Sequence, residues 1–256
     1  MAVRGGVRLE IAVQDLAGAA IARQAGADRV ELCVALGATG GLTPSLGLVK
    51  QCAGAGLPLG VQVLVRPRGG DFIYNEEERV LQLEDARLAI RAGAAGIVTG
   101  GLDRQGGLDE GFMARMAQLV RTESSAEGRR VDLTCHRAFD VVGDRSAALE
   151  TLIDLGYDRV LTSGGASAVP RGLDQLDALT RQAAGRIQIM AGGGLKPAGI
   201  KDAVAAGVDA VHMSARRMVA SSGGPGGGGD EAQVERTDPG QVRAAVAALA
   251  AALALG

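Results

Sequence analysis

Four segments of this chain repeat one local pattern, in which a glycine ends a helical stretch and a strand rich in β-branched residues follows almost at once. The repeated segments are Ala25–Leu32, Ala92–Thr99, Leu155–Thr162 and Ala206–Met213. Glycine is favoured just after a helix because that position takes a left-handed backbone conformation. Successive glycines of the pattern stand 67, 63 and 51 residues apart. Each separation has the length of about two strand–helix units of a barrel protein.

The stretches between these segments contain four more strand candidates. They are Arg8–Val13, Leu59–Arg66, Val131–Arg137 and Ile187–Ala191. Eight strands that alternate with helices in 256 residues predict a single-domain α/β protein, a TIM (β/α)8 barrel. A doubly wound open sheet is the alternative, but no G-x-G-x-x-G sequence opens a helix after the first strand.

Charge and composition argue against nucleic acid and membrane partners. The formal net charge is −2, aromatic residues make up 2% of the chain and tryptophan is absent, so a basic surface and stacking platforms are both missing. The longest weakly polar run, residues 244–255, is too short to span a bilayer. Val242, Val246, Leu249 and Leu253 predict instead one face of a packing helix.

The cysteine pattern predicts a reducing compartment. The three cysteines stand far apart and form no C-x-x-C pair, which gives neither a zinc motif nor a disulfide framework. Because their number is odd and the N-terminus has no signal-type character, we expect a cytoplasmic location.

A glycine-rich tract, SSGGPGGGGD at 221–230, departs from the strand–helix rhythm. Its composition predicts a flexible insertion at about 217–237, between strand eight and the last helix of the single domain that spans 1–256. A mobile lid over the C-terminal face is the alternative. No aromatic or apolar residue within the tract is available to close over a ligand, which favours a plain insertion.

Ionisable side chains fall on the inward phase of several strands. The run Val61–Phe72 reads VQVLVRPRGGDF, and Pro67 ends its strand just after Arg66. The period-two alternation of the other strands predicts that this arginine converges with further ionisable groups at one site. The candidate catalytic residues are Glu10, Glu31, Arg66, His136 and His212. The alternative is a buried charge network in which the two glutamates neutralise the arginine.

Glycine-rich loops after the last strands predict an anion site. Loops after strands seven and eight are the recurrent phosphate site of this architecture, where backbone N–H groups meet the anion. Tight turns also need glycine, so the arginines add the second indication of a small anionic or phosphorylated ligand. The candidate anion-binding residues are Arg66, Arg68, Ser163, Gly164, Gly192, Gly193, Gly194, Ser214 and Arg216.

Taken together, these segments resemble the CutC family, which is named for copper homeostasis. The matching stretches are LEI at 9–11, GADRVELC at 26–33, GGLTPS at 40–45, RPRGGDF at 66–72, VTG at 98–100, HRAFD at 136–140, LTSG at 161–164 and MAGGG at 190–194. The resemblance implies a TIM barrel in the cytoplasm that forms a homodimer or a higher homo-oligomer and handles copper as Cu(I).

Copper as Cu(I) prefers thiolate and thioether ligands. Cys33 lies on the same face as Glu31, and with Cys52 it resembles a thiol pair proposed elsewhere in the family. Relatives often carry a cysteine just after LEI, where this chain has Ala12. The alternative is that these cysteines are small buried hydrophobic residues.

Two functions therefore remain open from the sequence. One is a copper homeostasis protein that binds Cu(I) through Cys33 and Cys52. The other is an enzyme that holds a small anionic metabolite with Arg66 and the glycine loops, with His136 or Glu31 as general acid and base.

Overall fold

A computed structural model describes residues 6–221 and 233–254. Eight parallel strands form a closed barrel in chain order, and β1 closes it by pairing with β8. The predicted TIM-barrel fold is confirmed. The barrel strands are β1 Arg8–Val13, β2 Arg29–Leu32, β3 Val61–Leu64, β4 Gly96–Thr99, β5 Asp132–Cys135, β6 Arg159–Thr162, β7 Gln188–Gly192 and β8 Ala210–Met213.

Helices cover the outside of the barrel. They are α1 Leu16–Ala25, α2 Leu36–Thr39, α3 Leu46–Ala53, α4 Glu76–Arg91, α5 Glu110–Ala126, α6 Arg145–Leu155, α7 Leu173–Ala183, α8 Ile200–Ala205 and α9 Pro239–Leu253. The glycines of the repeated pattern, Gly26, Gly93, Gly156 and Gly207, have φ angles of 95°, 101°, 79° and 79°. Each therefore reverses the chain into the next strand at low steric cost.

The outward faces of the strands and the inner faces of the helices form one large hydrophobic core. The predicted packing face of the last helix belongs to it, since Val242 and Leu249 of α9 are buried. Inside the barrel, the described residues form two small apolar clusters, one of Cys33, Leu64 and Val98 and one of Leu161, Met190 and Ala210. Buried polar and charged side chains, among them candidate site residues, occupy much of the remaining interior.

The register of the closing strands aligns three ionisable residues. Glu10 on β1 is the pairing partner of Arg29 on β2 and of His212 on β8. Glu31 stands two residues above Arg29, opposite Ala12. Because side chains alternate along a strand, this register places all four ionisable side chains on the interior of the barrel.

Two strands end earlier than the sequence predicted. β3 ends at Leu64, and the N–H of Arg66 donates to Thr43 Oγ1 rather than to a neighbouring strand. β5 ends at Cys135, and a 3₁₀ turn follows at Arg137–Val141. In both places a side chain takes over the backbone hydrogen bond that would have continued the strand.

The predicted insertion contains paired structure at both ends. β9 Arg216–Ala220 and β10 Gln233–Thr237 form an antiparallel ribbon that the sequence analysis did not assign. Most of the glycine-rich tract, residues 222–230, lies outside the described residues. Among those that are described, no helix is both long and apolar enough to cross a membrane.

Candidate functional site

One cavity of about 380 Å³ opens at the carboxyl ends of the barrel strands. That volume lies within the usual range for small-molecule sites. Eight of the predicted site residues contribute to its wall: Glu31, Arg66, His136, Gly193, Gly194, His212, Ser214 and Arg216. The barrel thus brings residues from five parts of the chain to one site.

The floor of the site is a buried ion pair. Arg29 Nε donates to Glu10 Oε2 at 2.5 Å, and both side chains are almost completely shielded from solvent. Burial alone would raise the pKa of Glu10, but Arg29 and a hydrogen bond from His212 hold it well below its usual range. Glu10 is therefore a carboxylate that stays ionised below the cavity, and its partner Arg29 was not among the predicted site residues.

His212 joins this floor to the cavity. Its Nδ1 lies 2.8 Å from Glu10 Oε1, and its Nε2 lies 3.7 Å from Glu31 Oε2. Burial disfavours the charged imidazole, but the hydrogen bond to Glu10 and the charges of the two glutamates outweigh it and raise the pKa of His212. Burial also raises the pKa of Glu31 to about 7, against the opposing attraction of His212. Glu31 and His212 therefore form an adjacent pair of titratable groups in the cavity wall, and each shifts the pKa of the other.

Arg66 is a buried cation without a carboxylate partner among the described residues. Its Nη1 donates to the carbonyls of Thr39 and Gly41, and its Nη2 donates to the carbonyl of Gly70. Its Nε has no hydrogen-bond partner within the residues that the structure describes. The network in which Glu10 and Glu31 would neutralise Arg66 is therefore wrong, because Glu10 pairs with Arg29.

His136 lines the same cavity as Arg66, and its imidazole is neutral rather than charged. Its Nδ1 accepts a hydrogen bond from the N–H of Ala138, which assigns the ring proton to Nε2. Burial lowers the pKa of His136 to about 3, and the charge of Arg66 adds to this effect. Its Nε2 has no hydrogen-bond partner in the described part of the chain. The side chain of Phe72 contacts both groups, with its ring 4.9 Å from Arg66 Cζ and 4.8 Å from the imidazole.

Arg137 is a cavity residue that the sequence analysis did not single out. Its Nε donates to Asp140 at 2.7 Å and its Nη2 donates to Ser163 Oγ at 3.1 Å. Asp140 also accepts hydrogen bonds from Thr162 and from the N–H groups of Ser163 and Gly165. This anchored carboxylate therefore fixes the position of the arginine.

Several predicted anion-binding residues lie outside the cavity wall. Arg68 pairs with Asp71 and Glu78 and lies over the ring of Tyr74. The hydroxyl of Ser163 donates a hydrogen bond to Asp140, and the N–H of Gly164 donates to Thr162 Oγ1. Gly192 closes β7, where a Cβ would collide with the side chains of Leu161 and His212. These residues do not line the cavity. Arg68, Ser163 and Gly164 are hydrogen-bonded to other protein groups, and Gly192 packs closely against Leu161 and His212.

The predicted thiol pair falls in two different environments. Cys33 belongs to the small cluster inside the barrel, and Cys52 of α3 belongs to the core outside the barrel wall. Burial raises the pKa of Cys33 well above its ordinary value and that of Cys52 to about 11. Deprotonation for metal binding is therefore costly at both positions. Among the described residues, no group of three or more His, Cys, Asp or Glu side chains could hold a metal ion.

A closed barrel of eight parallel strands surrounded by helices, with a cavity at the carboxyl ends of the strands, defines a TIM-barrel protein. Sequence similarity then identifies the family. The model of the CutC family matches residues 7–217, and the chain belongs to that family.

Known relatives agree with this assignment. A protein of Agrobacterium fabrum named family protein CutC is 44% identical over 193 residues, 75% of this chain and 72% of that protein. The copper homeostasis protein cutC homolog of Homo sapiens is 40% identical over 212 residues, 82% of this chain and 74% of that protein. A crystal structure of CutC from Streptococcus agalactiae matches with a TM-score of 0.70 at 30% identity, over 80% of this chain and 97% of that chain.

Proposed function

We propose that this protein is an enzyme that binds a small anionic metabolite in the barrel cavity and moves a proton on it with Glu31 and His212. One observation carries the proposal. Arg66 Nε and His136 Nε2 are both buried without a hydrogen-bond partner among residues 6–221 and 233–254, and both residues line the same cavity. Unpaired buried donors are costly, and a ligand that accepts hydrogen bonds from both atoms would remove that cost.

The ligand group at these donors is an anion because the local charge is positive. Arg66 contributes a full charge, and Tyr74 beside it stays neutral since burial raises the pKa of its hydroxyl. His136 adds a neutral N–H donor that keeps its proton across the physiological range, as its pKa is about 3. It therefore acts as a hydrogen-bond donor to an oxygen atom, and the general acid–base role falls to Glu31 and His212.

The Glu31–His212 pair supplies the reactive group. Both side chains line the cavity, and Glu31 titrates near pH 7, where a general base is most effective. Arg29 and Glu10 hold the pair from below. Such an arrangement suits proton abstraction next to a carboxylate or carbonyl group that Arg66 and His136 polarise.

Two arginines of one loop make a matched test of this proposal. Native mass spectrometry of freshly purified protein should show a bound small anion, and small carboxylates and phosphate esters should raise the melting temperature. Arg66→Gln should abolish that shift while Arg68→Gln, which lies outside the cavity wall, should retain it. The proposal fails if no anion stabilises the wild type, or if both variants respond alike.

Copper homeostasis through Cu(I) binding is the second candidate, and the names of relatives such as the human copper homeostasis protein cutC homolog favour it. It places the metal at Cys33 and Cys52. A Cu(I) titration against a competing chelator should then show stoichiometric binding that Cys33→Ser or Cys52→Ser removes and Cys135→Ser retains. Equal binding by all three variants would leave this pair without a role.

The proposal extends to the cellular compartment and the oligomeric state of the protein. Three free, buried cysteines suit a reducing cytoplasm. We propose a homo-oligomer there, as the family resemblance implies, which light scattering of the purified chain tests directly.

A further inference from the structure

The cavity carries a second set of hydrogen-bond donors that the proposed function has not used. They come from Arg137 after β5, from Gly193 and Gly194 after β7, and from Ser214 after β8. Arg66 stands after β3, on the other side of the barrel mouth. Arg66 and the Gly193–Gly194 loop therefore reach the cavity from strands on opposite sides of the barrel, β3 and β7, and Glu31 on β2 and His212 on β8 complete its wall.

Arg137 is oriented for a ligand. Its Nε and Nη2 are fixed by Asp140 and Ser163, and Nη1 has no protein partner among the described residues. A Cβ added at Gly193 would lie 2.7 Å from Arg137 Cζ, so the guanidinium lies directly on the glycine backbone. The free edge of the arginine is thus held next to the loop after β7.

The loop itself presents backbone donors. Gly193 and Gly194 have φ angles of 104° and 63°, a conformation that side chains disfavour. In the part of the chain that the structure describes, their N–H groups and the hydroxyl of Ser214 donate to no protein acceptor. Successive free N–H groups beside an arginine form a concave site for tetrahedral oxyanions.

We infer that the ligand is a small phosphorylated carboxylic acid, with its phosphate at the Arg137 set and its carboxylate at Arg66 and His136. This inference rests on the proposed function and names its substrate class. A ligand with a single anionic group would leave one set of donors unpaired, whereas a short chain with an anion at each end satisfies both. The cavity of about 380 Å³ accommodates such a molecule.

Thermal stabilisation by a matched series of compounds tests the inference. The series consists of 2-phosphoglycolate, 3-phosphoglycerate and 4-phosphoerythronate, of the same acids without phosphate, and of glycerol 3-phosphate without carboxylate. At least one phosphorylated acid should bind about 100-fold more tightly than its unphosphorylated counterpart, since two or more charge-assisted hydrogen bonds are added.

Variants separate the two ends of the ligand. Arg137→Gln should remove the advantage of the phosphorylated acid and leave the binding of the plain acid unchanged, while Arg66→Gln should weaken both acids and spare glycerol 3-phosphate. Asp140 keeps its other donors in Arg137→Gln, so the fold should survive. The exposed Arg171→Gln is the matched control and should behave as wild type.

The outcomes distinguish this inference from the function on which it rests. If plain and phosphorylated acids bind equally and Arg137→Gln has no effect, the second anion site is refuted and the single-anion proposal stands. If glycerol 3-phosphate binds as tightly as the best phosphorylated acid, two-point binding is refuted. If no compound stabilises the wild type, the proposed function itself is overturned.

Discussion

The Nδ1 atom of His212 lies 2.8 Å from Oε1 of Glu10, and this contact decides which nitrogen of the imidazole serves the cavity. Because Glu10 stays ionised, Nδ1 carries a proton and donates it to the carboxylate. Nε2 is left to face Glu31. The buried glutamate thereby makes the histidine a partner for proton exchange with the second glutamate.

Glu31 should lower the stability of the ligand-free protein at neutral pH. Its folded pKa of about 7 exceeds the ordinary 4.5, so the folded state binds more protons between these values and the free energy of unfolding falls as pH rises through that window. A shift of this size corresponds to a cost on the order of 3 kcal/mol above pH 7. Glu31→Gln should therefore stabilise the protein at pH 8 and have little effect near pH 4.5.

Urea unfolding at several pH values measures this effect. Glu77→Gln, on the exposed side of α4, is the control for loss of a carboxylate outside the barrel and should not show the gain in stability at pH 8. His212 works in the same direction, since its raised pKa stabilises the fold at low pH and that contribution is lost as pH rises through the folded pKa. A Glu31→Gln variant whose stability parallels that of wild type from pH 5 to pH 8 would contradict the assignment.

Removal of the Glu10 carboxylate should lower the stability of the protein. Glu10→Gln leaves Arg29 buried without a counter-ion, and breaking such a pair typically costs about 3–5 kcal/mol. Denaturant unfolding at pH 7 should show this loss. Glu150→Gln, which breaks an exposed pair with Arg186, should leave stability nearly unchanged because solvent already screens that pair. Similar effects of the two variants would remove the special role of Glu10.

Much of this fold could be predicted because its signals are periodic. The helix-ending glycines and the β-branched strands gave eight units, and alternation along the strands placed Glu31 and His212 on the inside. The same alternation applied to β2 would also have found Arg29, which shares the phase of Glu31. That residue was missed although the signal was present.

Other parts of the site carry no periodic signal. Arg137 follows the end of β5, and its direction is set by a 3₁₀ turn and by its contact with Asp140. Arg68 was expected at the anion site, yet it forms an ion pair with Glu78 at the start of α4. Side chains beyond a strand end depend on tertiary partners, so strand alternation cannot place them.

The two histidines of the chain should titrate in opposite ways. His136 should stay neutral with its proton on Nε2 from pH 5 to pH 8, because burial and the charge of Arg66 lower its pKa to about 3. His212 should remain protonated to a higher pH than a free imidazole. Imidazole ¹⁵N chemical shifts from a pH series would report both states, with His136→Asn assigning the signals. Two ordinary titration curves near pH 6.5 would refute the difference.

The ribbon of β9 and β10 should depend on one carboxylate. Glu235 on β10 accepts hydrogen bonds from Gln14 Nε2 and from the N–H of Gly37, and it pairs with Arg216 at the cavity rim. Since hydrogen bonds to a charged group contribute about 1.5–3 kcal/mol, Glu235→Ala should speed amide exchange in the ribbon and at Gly37 by about tenfold or more. Hydrogen–deuterium exchange with mass spectrometry should confine the change to these segments. Arg236→Gln, whose ion pair is long and exposed, is the control, and equal exchange in both variants would show that Glu235 does not hold the ribbon against the barrel.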